Sequence, residues 1–183
     1  HPAYYQDYAR RLADETPGAF YIDQFNNDAN PLAHATSTAP ELYQQLEGDI
    51  DAIVVGVVSG GTLGGLQAWF AEHSPKTEFI LADPAGSILA DQVDTGRYGE
   101  TGSWLVEGIG EDFIPPLARL EGVHTAYRVS DCEAFHTARQ LLQVEGVLAG
   151  SSTGTLLSAA LRYCRTQSRP KRVVTFACDS GNK

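Results

Sequence analysis

The sequence predicts an α/β fold, a mostly parallel sheet between two layers of helices. Three observations carry this. The run Val54-Val55-Gly56-Val57-Val58 is continuously apolar and rich in β-branched residues, as expected of a strand buried on both faces. Strand-like runs alternate along the chain with helix-like ones, the pattern of βαβ units. Small-residue turns at 58–62, 150–154 and 179–181 follow predicted strand ends, on the rim where parallel sheets bind ligands.

Taken in order, 4–15 carries Tyr5, Tyr8, Ala9 and Leu12 at helical spacing and stops at Thr16-Pro17-Gly18. Residues 19–25 form a short β-like run. The polar turn Asn26-Asn27-Asp28-Ala29-Asn30-Pro31 leads into a short helix through His34. Thr38-Ala39-Pro40-Glu41 reads as a capping box opening a helix to Glu47, which Gly48 ends. A strand over 51–57 comes next, then the glycine turn and a helix from Thr62 to about His73 with Leu66, Trp69 and Phe70 on one face. The next strand is 78–82, with Asp83-Pro84-Ala85-Gly86 as its turn. The stretch 91–116 reads as one long irregular loop, more often functional than idle at that length. A strand over 125–129, a second capping box at Ser130-Asp131-Cys132-Glu133, and a helix to Glu145 come after it. A helix from Leu156 to about Arg165 and a last strand over 172–177 complete the chain.

Composition bounds the function. The chain has 183 residues, enough for one α/β domain with a core; 43% are hydrophobic and 20% charged, which excludes a disordered chain. No apolar run approaches the roughly 20 residues of a membrane-spanning helix. The first residues are polar and amphipathic, unlike a secretory leader. A formal net charge of −10 argues against nucleic acid and anionic membranes as partners. It does not argue against a small anion held by a local nest of donors. Cys132, Cys164 and Cys178 form no C-x-x-C pair, so neither a metal site nor a disulfide framework is expected, and a reducing cytoplasm is the expected location.

The turn Ser59-Gly60-Gly61-Thr62 lies between a strand and a helix N-terminus. Glycines allow close backbone approach, the first-turn N–H groups lack intrahelical partners, and the helix dipole favours an anion. Ser59 and Thr62 add hydroxyls. No lysine follows the last glycine, so this is not a Walker A loop, and Val58 breaks the dinucleotide fingerprint. On its own the turn is equally well a tight strand-to-helix connection. By spacing alone, Ser152 is a helix N-cap, His34 a surface or packing histidine, and Trp69 and Phe70 are core.

The whole chain resembles the pyridoxal-phosphate (PLP) enzymes of the cysteine synthase and cystathionine β-synthase family (fold type II). Six stretches occur in the family's order. Asp23-Gln24-Phe25 through Asn30-Pro31 resembles Q-[FY]-x-N-x-x-N-P, and His34, Thr38 and Pro40-Glu41 are similar to the family's next segment. Ser59-Gly60-Gly61-Thr62 is similar to G-T-G-G-T. Gly108-Ile109-Gly110 with Phe113-Ile114-Pro115 resembles G-I-G-x-x-F-I-P. Glu145-Gly146 and Gly150-Ser151-Ser152 resemble E-G-[x]n-G-x-S, and Asp179-Ser180-Gly181 resembles P-D-S-G. The segments 83–90 and 106–113 lean towards the cystathionine β-synthase branch.

The resemblance implies a tryptophan synthase β-like, three-layer PLP-binding domain over 19–183, with 1–18 as the last helix of a smaller domain. It implies PLP as cofactor, with Val58, Ser59, Gly60, Gly61 and Thr62 around the phosphate. Ser152 would face the pyridine nitrogen, and Gly108 and Gly110 would line the substrate side. A neutral hydroxyl leaves that nitrogen unprotonated, giving a milder electron sink suited to β-replacement. It further implies amino-acid substrates and a homodimer. The chemistry expected is condensation of L-serine with homocysteine to cystathionine; cysteine synthesis from O-acetylserine and sulfide is the alternative. A non-catalytic phosphate- or PLP-binding module and a generic nucleotide-binding domain are rivals of other classes.

Three departures stand out. Val58 occupies a family glycine position and would be strained by roughly 1–2 kcal/mol if the loop required a positive φ there. Asp28 and Cys178 each replace a proline. Lys76, Lys171 and Lys183 are the only lysines, and none matches the family's Schiff-base lysine, which is expected upstream in a longer parent protein. The 183 residues alone are therefore not expected to turn over substrate.

Overall fold

A computed structural model of the chain describes residues 4–182. Its centre is a four-stranded sheet formed by β1 (Ala52–Val55), β2 (Glu78–Pro84), β3 (Thr125–Val129) and β4 (Val173–Val174), in the order β3-β2-β1-β4. All pairings are parallel, with Ile53 opposite Phe79 on one side and Val174 on the other.

Helices cover both faces, α4 on one and α6 and α7 on the other. The helices of the described residues are α1 (Tyr5–Glu15), α2 (Ala29–Ala33), α3 (Ala39–Gln45), α4 (Gly61–His73), α5 (Leu89–Thr95), α6 (Asp131–Glu145) and α7 (Ser151–Arg165). The period-2 geometry of a strand divides its side chains between two cores. Ile53 and Val55 of β1, with Phe79 and Leu81 of β2, pack against Leu63, Leu66 and Phe70 of α4. Ala52 and Val54, with Ile80 and Ala82, pack against Ala134 of α6 and Leu156, Ala159 and Tyr163 of α7. Every residue of β1 is thus buried, which is why its sequence is continuously apolar. Each large aliphatic or aromatic side chain buried this way contributes roughly 1.5–3 kcal/mol.

Five local expectations are corrected. Residues 19–25 form no strand; Phe20 and Ile22 are 82% and 64% exposed and no strand lies beside them. Thr38 does not cap a helix: α2 continues through a π-helical turn, His34–Thr38, into α3, and Thr38 keeps helical angles. β2 runs on through Asp83 and Pro84, which pair with Arg128 and Val129 of β3. The 91–116 loop is shorter than expected because its start belongs to α5. The last strand is only the pair Val173–Val174. At the second predicted capping box Ser130 caps α6, accepting from Glu133 N–H at 3.3 Å, and Gly146 ends the helix with a φ of 72°.

Candidate functional site

The chain leaves β1 at Val55 and reverses through 56–60 into α4. Gly60 takes a φ of 85°, so the left-handed residue of the turn is a glycine; Val58 is not among the residues with positive φ and carries no such strain. A Cβ on Gly60 would lie 2.4 Å from Ala118 N, and one on Gly61 would lie 1.9 Å from Asn30 Oδ1. These glycines let two other segments close over the turn.

Asn30 is the main strut. Its Nδ2 donates to Gln24 O at 2.8 Å and to Ser59 Oγ at 2.9 Å. Ser59 Oγ also accepts from Gly61 N–H at 3.4 Å. With both lone pairs engaged, the Ser59 hydroxyl has its hydrogen left to give. On the other side of the turn, Thr62 Oγ1 is 3.2 Å from His34 Nε2, and His34 Nδ1 is 3.0 Å from Thr38 Oγ1. Burial pushes the His34 pKa down, so the ring is neutral at pH 7, donating through one nitrogen and accepting through the other. The π-helical turn is what places His34 and Thr38 opposite α4, a use in keeping with such turns at functional sites.

A cavity of about 380 Å³ opens over this turn, within the roughly 300–1,000 Å³ of small-molecule sites. Val58, Ser59, Gly60, Gly61 and Thr62 line one end, together with His34 and Thr38. Val55, Ile109, Leu156 and Phe176 form apolar walls, and Gly108 and Cys178 border it. It lies beyond the carboxyl ends of the strands.

The irregular stretch after α5 is held firmly at this edge. Gly110 N–H donates to Val57 O at 2.8 Å, Ile109 packs over Gly56, and Trp104 Nε1 donates to Ile109 O at 3.1 Å. Glu111 N–H donates to Ser87 Oγ at 3.0 Å, and Glu107 N–H to Ser151 Oγ at 3.2 Å. Gly108 and Gly110 have φ values of 78° and 91°, which only glycine adopts without strain. Gly108 reaches the cavity; Gly110 stands behind it, against Pro84 and Trp104.

Ser152 is 4% exposed in the first turn of α7, whose N-cap is Gly150, so the N-cap expectation for Ser152 fails. Ser152 does not itself line the cavity; the next residue, Thr153, accepts from the N–H of Cys178 at 3.0 Å, and Cys178 does line it. Sequence reasoning missed three site residues: Asn30 as the strut of the turn, His34 as part of the wall, and Cys178 as a wall residue. Asn30 and His34 already stood in the motif, but their packing partner, α4, is 28 or more residues away.

A larger cavity of about 590 Å³ lies between α1 and residues 19–25, but its lining is mainly apolar and includes no glycine turn. The smaller cavity holds the donors, and the chemistry belongs there. Lys76 is exposed beyond α4, and Lys171 is bound to Glu78 at 3.0 Å and Tyr163 at 2.9 Å at the amino end of β2. Neither reaches the cavity, and Lys183 lies outside the described residues. Among the described residues no cluster suited to a metal ion occurs.

A family profile described as "Pyridoxal-phosphate dependent enzyme" matches residues 3–179. The chain belongs to that family. It is 39% identical over 171 residues to the honeybee (Apis mellifera) cystathionine beta-synthase, covering 93% of this chain and 34% of the relative. It is 33% identical over 175 residues to the O-acetylserine dependent cystathionine beta-synthase of Bacillus subtilis, covering 96% and 55%. The crystal structure of the Helicobacter pylori enzyme of that same description superposes with a TM-score of 0.86 at 34% identity, covering 94% of this chain and 54% of that one. The chain therefore spans about a third of the cystathionine beta-synthases it matches and about half of the shorter relatives.

The cavity fits PLP on its own chemistry. Hydroxyls of Ser59 and Thr62 and the helix N-terminus suit a phosphate, and the apolar walls suit a flat ring.

Proposed function

We propose that the protein containing this chain is a PLP-dependent β-replacement enzyme. It condenses L-serine with homocysteine to cystathionine. The observation that carries the reading is the donor-lined cavity at 58–62, in a chain 39% identical to a cystathionine beta-synthase. In this reading Val58–Thr62 backbone groups and the Ser59 and Thr62 hydroxyls hold the phosphate, Ser152 meets the ring nitrogen, and Gly108, at the cavity edge, leaves room for the amino acid. The bound cofactor supplies an electron sink for bond cleavage at the amino acid's Cα and Cβ. The chain's own residues bind and orient it: Asn30 fixes Ser59, His34 fixes Thr62, and Ile109 and Leu156 keep water from the ring face.

A second reading has specific support. Two relatives are named as O-acetylserine dependent. An activated serine would then replace serine, and sulfide could replace homocysteine as in cysteine synthesis. Initial rates of the whole protein decide between them. We expect kcat/KM to be highest for L-serine with homocysteine; a higher value for O-acetylserine with either thiol or sulfide overturns the first reading. We further propose a cytoplasmic homodimer whose residues 1–18 belong with a second, smaller domain. The exposure of Tyr5, Tyr8 and Leu12 on α1 supports that division, and the free thiols of Cys132, Cys164 and Cys178 suit a reducing compartment. Amino acids, rather than nucleic acid or membrane, are the partners this reading requires, in line with the net charge of −10. Among the described residues no helix is long and apolar enough to cross a membrane.

A further inference from the structure

We propose that Ser87 is a positioning residue for the amino-acid side of the cavity: it grips the peptide of Glu111 and so fixes where Gly108 stands. This rests on the reading of the cavity as a PLP site with Gly108 on its substrate edge.

Residues 107–111 are held at each end by a serine hydroxyl. At one end Glu107 N–H donates to Ser151 Oγ at 3.2 Å. At the other, Ser87 Oγ accepts from Glu111 N–H at 3.0 Å and donates to Glu111 O at 3.1 Å. Ile88 N–H donates to the same carbonyl at 3.1 Å, and Gly110 N–H to Val57 O at 2.8 Å. Gly108 lies between these bonds and lines the cavity. Its φ is 78°, and no atom packs within 4 Å of where its Cβ would be. The bonds at 107, 110 and 111 therefore set its position, not packing of its own.

Ser87 is 4% exposed. A hydroxyl has one hydrogen to donate and two lone pairs to accept with. The Ser87 hydrogen goes to Glu111 O, and its lone pairs take Glu111 N–H and, at 3.4 Å, Leu89 N–H. This buried group has nothing left for a ligand and holds backbone alone. Its own footing is the sheet. Ser87 N–H donates to Pro84 O at 3.0 Å, and Ala85 N–H to Val129 O at 2.9 Å, so the clamp stands on the ends of β2 and β3. Removing the hydroxyl orphans Glu111 N–H and leaves Glu111 O to Ile88 alone, which loosens one end of the segment that carries Gly108. The phosphate turn has struts of its own in Asn30 and His34 and is not touched.

The test pairs amide hydrogen exchange across 107–111 with steady-state rates and PLP titration, all on the whole protein. We expect Ser87→Ala to speed exchange at 110–111 and to raise KM for at least one amino-acid substrate, each about fivefold, the scale of one buried hydrogen bond. The PLP-to-pyridoxal preference and kcat should stay within about twofold, since the donors of the turn keep their partners. Ser87→Cys keeps the shape but bonds more weakly and should fall between. Thr77→Ala is the comparison: it removes a buried hydroxyl at the opposite end of β2, where Thr77 donates to Ile50 O at 3.0 Å. It should lower stability without moving KM. Unchanged exchange in Ser87→Ala overturns the clamp and leaves the cavity reading standing. Faster exchange with KM unmoved for every amino-acid substrate removes Gly108 from the substrate edge, and the proposal falls with that part of the reading. A KM raised as far by Thr77→Ala reduces Ser87 to a general stabiliser and overturns the proposal too. A wild-type protein that takes up no PLP overturns the cavity reading itself.

Discussion

Two turns in this molecule look alike in sequence and differ in what their donors do. Ser59-Gly60-Gly61-Thr62 enters α4, and Gly150-Ser151-Ser152-Thr153-Gly154 enters α7. At the second, the protein consumes its own polar groups. Ser151 Oγ accepts from Glu107 N–H, Thr153 Oγ1 accepts from Cys178 N–H, and Thr155 Oγ1 donates to Ser151 O. The turn itself is pressed shut: Gly150 lies in extended backbone against Asp179, and a Cβ on Gly154 would be 2.0 Å from Ala134 O. At the first, Gly60 is left-handed, Ser59 is held by acceptance alone, and the hydroxyls face a cavity. A small-residue turn before a helix is therefore not an anion site by composition. It becomes one when neighbouring segments orient its donors without using them up.

Alanine at the two buried glycines gives the largest contrast. Gly61→Ala must displace Asn30 and so release Ser59. Loss of the oriented Ser59 hydroxyl and of the placement of the Gly61 N–H beside it predicts about 100-fold weaker PLP binding, at roughly 1.4 kcal/mol each. Binding of pyridoxal, which lacks the phosphate, should change far less. Gly154→Ala instead separates α6 from α7, where Thr137 and Ser158 hydroxyls meet at 2.7 Å. Overpacking there should cost about 2–3 kcal/mol of stability and leave the ratio of PLP to pyridoxal affinity intact. Titrations with both ligands, beside denaturant unfolding, separate the effects; a Gly154→Ala variant that loses phosphate discrimination would erase the distinction between the turns.

Threonine-to-valine changes are subtler and keep the shape. Thr62→Val removes a hydroxyl that both touches His34 and lines the cavity. PLP affinity should fall about tenfold, with little change in stability. Thr155→Val removes a hydroxyl that serves only its own helix, at 3.2 Å from Ser151 O. It should cost no more than about 1 kcal/mol and leave PLP affinity unchanged. Equal effects of the two variants on binding would falsify the idea that only the first turn is open to a phosphate.

The same contrast explains what the sequence could and could not convey. Strand cores, the α/β alternation and the second capping box were legible because each arises from a local pattern. Val54, Ile80 and Leu81 could be nothing but buried strand residues. The π-helical turn was not legible. Thr38-Ala39-Pro40-Glu41 satisfies a capping pattern, yet α4 lies so close that a Cβ on Gly65 would be 2.2 Å from Pro31 O and 2.7 Å from His34 Cβ. Tertiary packing keeps the helix continuous there, and Thr38 turns to His34 instead of to a cap. Asp83 and Pro84 read as a turn because nothing local reports that β3 pairs with them. At the site, the residues of one segment were readable, but the struts Asn30 and His34 act across 28 or 29 positions, and only the folded chain shows that Ser59 and Thr62 depend on them.

The smallest predicted effect concerns that dependence on His34. Burial lowers its pKa, so in the folded protein it binds a proton less readily than in the unfolded chain, where the value is about 6.5. Its contribution to stability is then complete above about pH 6.5 and is lost as pH falls from there towards the folded value. A phosphate at 58–62 would oppose that trend, because a cationic His34 beside Thr62 attracts an anion. One charge–charge contact at water-like screening is worth about 1 kcal/mol, or roughly fivefold in affinity. Lowering the pH through this range should thus weaken the ligand-free protein while tightening its hold on PLP relative to pyridoxal. His34→Gln, neutral throughout, should flatten both curves. A wild-type protein whose PLP-to-pyridoxal preference tracks the phosphate's own ionisation alone, with no difference from His34→Gln, would reduce His34 to a packing residue and leave Thr62 as the sole side-chain donor on that side of the turn.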